Sequence, residues 1–268
     1  MDVTYWTYHD RKKPVCLLIH GFTGSHEGFQ YISPLLSDYH VIVPDLPGCG
    51  ISTLPKKPWT LEHIAELTNR FVEALELKDP PYLVSHSMGT LVAAEMLKQR
   101  PELFNKKTVF ISPVARKVGR FDSRALGVLG MQLHYAVGKT PRIGERIVKS
   151  KRLSTMATKM IWTTKDKELR QRIDAHHLDN LDYISSIDYY RKLHRNITAR
   201  GLVDYASELT PFDVLAINGD KDMVTPLRIL KSTATVLKFK LKIIPNVGHL
   251  AHYETPDRLA SLVRAHLK

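Results

Sequence analysis

The sequence predicts an α/β protein, a mostly parallel, doubly wound sheet broken by one all-helical insertion, and three observations carry that reading. Short apolar runs alternate with longer amphipathic ones, the pattern of strands joined by crossover helices. Roughly ninety residues in the middle hold no strand-like run, which is too long for a loop in a compact domain. With 43% hydrophobic and 25% charged residues, the 268-residue chain can bury a full core.

The strands are expected at Thr4 to Tyr8, Val15 to His20, His40 to Pro44, Tyr82 to Ser85, Thr108 to Ile111, Asp213 to Asn218 and Lys240 to Ile244. Each is an apolar run of strand length bounded by polar or turn-forming residues. Helices are expected from Leu61, where Thr60 is a suitable N-cap, and over Met88 to Gln99, Pro226 to Leu237 and Thr255 to Leu267. The strandless middle reads as helices at Arg124 to Val137, Ile143 to Lys149, Ser154 to Trp162, Asp166 to Leu181 and Ile187 to Ala206. The division is therefore a core of residues 1–113 and 210–268 with a helical insertion over 114–209, lying across one edge of the sheet as a cap.

The first residues, MDVTYWTYHDRKKP, hold no apolar stretch of signal-peptide length, and no run of membrane-spanning length follows, so a cytoplasmic chain is expected. Two cysteines, Cys16 in an apolar run and Cys49 in a glycine-rich turn, make neither a disulfide framework nor a metal spacing. The adjacent His176 and His177, about 100° apart on a polar helix, read as solvated residues rather than ligands. The formal charge of +12 is concentrated in the middle, at Arg116, Lys117, Arg120, Arg124, Lys139, Arg142, Arg146, Lys149, Lys151 and Arg152. No nucleic-acid motif accompanies it, so no nucleic-acid partner is expected. A solvated charged exterior is the leading reading, with weak contact between the basic insertion and an anionic membrane surface, or attraction to an acidic substrate, as the others.

The informative stretch is Ser85-His86-Ser87-Met88-Gly89, where a strand turns at once into a helix. It is close to G-x-S-x-G, a turn so sharp that the residues two before and two after its serine must be small. Ser87 has Ser85 and Gly89 there; Ser85 would have Leu83 and Ser87, and a leucine does not fit. Ser87 is the candidate nucleophile. The following helix points its positive end at the turn, where an anionic intermediate would form.

A serine hydroxyl needs a base, and the base an orienting acid. His249, after Asn-Val-Gly and before the last helix, is the candidate base, ahead of His252, which lacks a preceding turn glycine. Asp222, after the loop beyond Asn218 has reversed, is the candidate acid, ahead of Asp220, which serves the turn. The oxyanion donors are expected to be the amides of Met88 and of Phe22 in His20-Gly21-Phe22-Thr23-Gly24, with His20 holding that loop by hydrogen bonds.

With these parts in the order Ser, Asp, His, the chain resembles the α/β-hydrolase fold family, in particular its serine hydrolases with a helical cap. The likeness covers nearly the whole chain, including VIVPDLPGCGIS from Val41, where Asp45, Gly48, Gly50 and Ser52 match a scaffold loop. The family's glycine at position 85 and its frequent second glycine at position 90 are here Ser85 and Thr90. The resemblance implies an eight-stranded sheet, against seven counted here. It also implies acyl chemistry without a cofactor, since relatives with dehalogenase or epoxide-hydrolase activity carry aspartate where Ser87 stands. The expected activity is hydrolysis of a carboxylic ester with a small or medium acyl group, monoacylglycerol-like substrates included. Cleavage of a carbon-carbon, amide or lactone bond, or ligand sensing with the triad retained, are the alternatives. Met131, Tyr135 and Trp162 are the candidate substrate-lining residues.

Overall fold

The computed structural model describes residues 2–119, 122, 124–140, 143–158 and 161–268, so Arg120 and Arg142 of the basic stretch lie outside the described residues. Seven strands form a single sheet: β1 (Tyr5–Tyr8), β2 (Val15–Ile19), β3 (His40–Pro44), β4 (Tyr82–His86), β5 (Lys107–Ile111), β6 (Asp213–Gly219) and β7 (Lys240–Ile244). Their order is β1-β3-β2-β4-β5-β6-β7; β1 runs antiparallel to β3 and every other pairing is parallel. Seven strands, not the eight of the family resemblance, are present among the described residues.

Eleven helices accompany them among the described residues: α1 (Leu61–Ala74), α2 (Met88–Gln99), α3 (Ala125–Val137), α4 (Gly144–Val148), α5 (Lys151–Thr158), α6 (Lys167–Asp182), α7 (Ile187–Ala199), α8 (Ala206–Leu209), α9 (Leu227–Leu237), α10 (Ala251–Glu254) and α11 (Pro256–Leu267). Both faces of the sheet are covered, as parallel strands require. Along β2, Leu17 and Ile19 join the apolar cluster with α1, α2 and α9, while Cys16 and Leu18 join the one with α11. α1 buries Leu61, Ile64, Ala65, Thr68, Asn69 and Val72, one stripe of a 3.6-residue repeat, and the Thr60 side chain accepts from the His63 amide at its start.

The chain winds from β2 outward to β3, then crosses back to β4 and continues through β5, β6 and β7. The carboxyl ends of β2 and β4 therefore meet at the point where the winding reverses, which is where an open α/β sheet offers a crevice. The loops after β6 and β7 open on the same edge.

Every described element between β5 and β6 is helical or a turn. Two expected helices differ in extent. The one expected at Ser154 to Trp162 is α5, starting at Lys151 and ending at Thr158; residues 159 and 160 lie outside the described residues, and Trp162 is in the connection to α6. The one expected to reach Ala206 stops at Ala199, because Arg200 and Gly201 are extended. At Gly201 the backbone passes so close to Arg116 that an added Cβ would lie 2.1 Å from the Arg116 Cα. Among the described residues no helix is long and apolar enough to cross a membrane.

Candidate active site

The turn between β4 and α2 puts Ser87 at φ 52° and ψ −121°, a conformation that L-residues rarely occupy. The surroundings impose it. The Ser87 amide donates to the Ile111 carbonyl (3.0 Å), and its carbonyl accepts from both the amide (2.9 Å) and the hydroxyl (2.7 Å) of Thr90. Thr90 thus clamps the turn. The small flanks are needed: a Cβ on Gly89 would lie 2.5 Å from the carbonyl oxygens of Ile19 and His20, and Ser85 is fully buried. Ser87 itself remains partly exposed.

The structure brings Ser87, His249 and Asp222 into one hydrogen-bonded line. His249 Nε2 lies 2.9 Å from Ser87 Oγ, and His249 Nδ1 lies 2.9 Å from Asp222 Oδ2. An ionised carboxylate only accepts, so Nδ1 carries the proton and Nε2 is the free acceptor facing the serine hydroxyl. Asp222 also accepts from the amides of Val224 (2.9 Å) and Thr225 (2.8 Å) and from the Thr225 hydroxyl (2.6 Å). Burial alone raises its pKa, but the His249 ring and these bonds outweigh burial and leave it below the ordinary carboxylate range. Asp220 faces elsewhere, accepting from the Asn246 amide (2.7 Å) at the turn after β7.

All four polar groups of His249 are engaged. Its amide donates to the Ile161 carbonyl (3.1 Å), and its carbonyl accepts from His86 Nε2 (3.0 Å) and the Ser112 hydroxyl (3.2 Å). The segment around Ile161 is stitched to this loop through Glu254, which accepts from the Thr163 hydroxyl (2.7 Å) and the Gly248 amide (3.2 Å). His252 is buried against His86, with ring centroids 4.3 Å apart, and touches neither Ser87 nor Asp222 by hydrogen bond. Burial first, and the neighbouring histidines second, push His252 well below the ordinary histidine value; burial and then His249 push His86 down to about 3.

Of the two expected oxyanion donors, Phe22 lies in the loop after β2 and Met88 opens α2, and among the described residues neither amide donates to a protein atom. His20 fixes the loop between them: its Nε2 accepts from the Leu46 amide (2.9 Å), so its Nδ1–H donates to the Gly21 carbonyl (2.9 Å). Asp45 anchors the neighbouring loop, accepting from the amides of His26 (2.7 Å) and Ile51 (3.0 Å), and Ser52 donates to the Asp45 carbonyl (2.7 Å).

The three lining candidates separate. Met131 and Tyr135 join the apolar cluster that holds Met88 and Phe22, with the Tyr135 ring edge-on to Phe22 at 6.2 Å. Trp162 packs with Ile173, Leu250 and Tyr253, under the Arg170 guanidinium at 4.4 Å. His176 and His177 are not the solvated pair expected: α6 packs on α10, so His177 is turned inward and bonds the Ile173 carbonyl (2.8 Å), while His176 is held by Gln30 and stacks on Tyr31. The sequence reading also missed Tyr190 and His194, whose rings flank Phe22 at 5.8 and 5.6 Å; only the apolar stripe of their helix signalled them. Cys16 and Cys49 are free and fully buried, and among the described residues no cluster of His, Cys, Asp or Glu is arranged to hold a metal ion.

A mostly parallel sheet with a serine on a strained strand-to-helix turn and a histidine–aspartate pair at the same edge defines an α/β hydrolase fold. The chain belongs to the alpha/beta hydrolase family, whose sequence model matches residues 16–262. It is 33% identical over 114 residues to the uncharacterized hydrolase YugF of Bacillus subtilis, spanning 42% of this chain and 41% of that protein. It is 35% identical over 100 residues to the phospholipase YtpA of the same organism, spanning 35% and 39%. The matched segments thus cover about two-fifths of these relatives. A thermophilic esterase from Thermogutta terrifontis superposes with a TM-score of 0.80 at 19% identity, over 99% of this chain and 92% of that one.

Proposed function

We propose that the protein is a serine hydrolase of carboxylic esters with a small or medium acyl group. The observation that carries this is the unbroken line Ser87–His249–Asp222 beside two amides with no protein partner. Ser87 Oγ attacks the ester carbonyl as His249 Nε2 takes its proton, and the new charge on the carbonyl oxygen is met by the Phe22 and Met88 amides. The Asp222 carboxylate holds the ring in its tautomer and balances the imidazolium. Collapse returns the proton to the departing alcohol and leaves an acyl group on Ser87. Water, deprotonated by the same ring, then releases the acid.

The insertion of residues 114–209 serves as the cap. Met131 and Tyr135 bring its inner side to Phe22, and so limit the acyl group that fits; Trp162 shapes the approach along the histidine loop. No cofactor takes part in these steps.

A fluorophosphonate probe on the wild type and Ser87→Ala, followed by an ester panel of rising chain length, tests the reading. The expected result is labelling of wild type only, with turnover highest on short to medium chains. Labelling that survives Ser87→Ala refutes the nucleophile. Labelling without turnover of any ester refutes the esterase reading: turnover of a lactone, amide or diketone then points to another bond, and turnover of none to a sensor.

A further inference from the structure

Helix α3 presents to solvent a face without a single polar side chain. Leu126, Leu129, Leu133 and Val137 are 81%, 55%, 56% and 40% exposed, and the remaining outward positions are two glycines and an alanine. At spacings of three and four residues these four form one stripe along the helix. Ile143, 68% exposed, follows in the connection to α4, which packs against α3. Single exposed leucines are ordinary on a soluble protein; a continuous apolar face marks a surface that something covers.

The charge around this face says what covers it. From Arg124 to Arg152 the sequence holds seven arginines and lysines and one acid, Glu145. Arg124, Lys139 and Lys149 are paired with Asp122, Asp188 and Glu145, while Arg146 on α4 and Lys151 and Arg152 at the start of α5 are exposed with no carboxylate partner among the described residues. A second copy of this chain, itself at +12, would bring like charge against like. An apolar face flanked by cations instead complements the acyl boundary and headgroups of an anionic bilayer.

We propose that α3 is a lipid-docking helix whose outward face lies in the surface of an anionic bilayer without crossing it. Its opposite face carries Met131 and Tyr135, and Tyr135 meets Phe22. One helix thus has the bilayer on one side and the pocket lining on the other, so a lipid-soluble ester leaving the surface there needs to travel only the thickness of the cap.

Co-sedimentation with vesicles of phosphatidylcholine, alone or mixed with phosphatidylglycerol, at low and high salt, tests the proposal. The comparison is between wild type, Leu129→Asp/Leu133→Asp and the milder Leu126→Glu at the most exposed position. The expected result is wild-type binding to the mixed vesicles that weakens with salt, and at least about tenfold weaker binding by the double variant. Both variants should keep wild-type turnover of a soluble short-chain ester. Failure of wild type to bind, binding undiminished in both variants, or a wild-type dimer in solution that the double variant dissociates, would each overturn the proposal. Binding is read without turnover, so loss of the hydrolase reading and loss of this one are told apart.

Discussion

The turn after β4 and the outward face of α3, linked through the contact of Phe22 with Tyr135, treat their side chains in opposite ways. At the turn the amide, carbonyl and hydroxyl of Ser87 each have a protein partner and the backbone is held where it would not go unaided. At the exposed positions of α3 no polar side chain is present and apolar surface is left open. One region is specified by directional bonds, in which a displaced atom loses its function; the other is specified only by area and charge, which tolerate exchange as long as their character is kept. Substitutions should therefore act steeply in the first region and shallowly in the second.

The steepest expected effect is on the triad. Ser87→Ala should lower kcat/KM for any accepted ester by about 10⁴-fold or more, and Asp222→Asn by about 10³- to 10⁴-fold, because the ring then loses its tautomer; steady-state assays check both. Gly89→Ala comes next. Its Cβ would press on two carbonyl oxygens that belong to β2 and the loop after it, so unfolding in urea should show a loss of about 2–4 kcal/mol.

His86→Asn sharpens the contrast, since His86 reaches substrate only through the His249 carbonyl it holds. Loss of that bond should reduce kcat about tenfold with KM little changed. The same residue governs an acid limb of stability. In the fold its pKa is lowered from 6.5 to about 3 by burial and by His249, so below pH 6.5 the unfolded chain binds a proton that the folded one refuses. Stability contributed by the neutral ring is complete above 6.5 and declines toward 3, by up to ~1.4 kcal/mol per pH unit. Urea midpoints at pH 7 and pH 5 should therefore converge in His86→Asn relative to wild type. The smallest effect is expected on α3, where Leu133→Asp should leave the urea midpoint within about 0.5 kcal/mol of wild type. A large loss there would break the comparison, because it would mean the face is packed after all.

The two regions also differ in how far the sequence disclosed them. All seven strands lie within a residue of their expected limits; in the five inner ones burial on both faces leaves a largely apolar run such as Cys16-Leu17-Leu18-Ile19. The choice of Ser87 over Ser85 rested on side-chain size, and the clash at Gly89 is its physical basis. What stayed hidden depended on contacts distant in the chain. The end of α7 is set by the approach of Gly201 to Arg116, the inward turn of His177 by α10, and the strap at Ile161 by its bond to His249; none leaves a mark in local periodicity. The α3 face was the reverse case: its apolar positions were plain to read, but the sequence could not say which of them face the core.

Because Ser87 is locked at its unusual backbone angles by Thr90 and Ile111, its Cβ is held in place and its hydroxyl rests 2.9 Å from the His249 ring. The free energy of that confinement is supplied once, when the chain folds, and is not asked of each reaction cycle. A molecule built this way gives up some resistance to denaturation for the whole of its lifetime in return for a hydroxyl that already faces the His249 ring before anything binds.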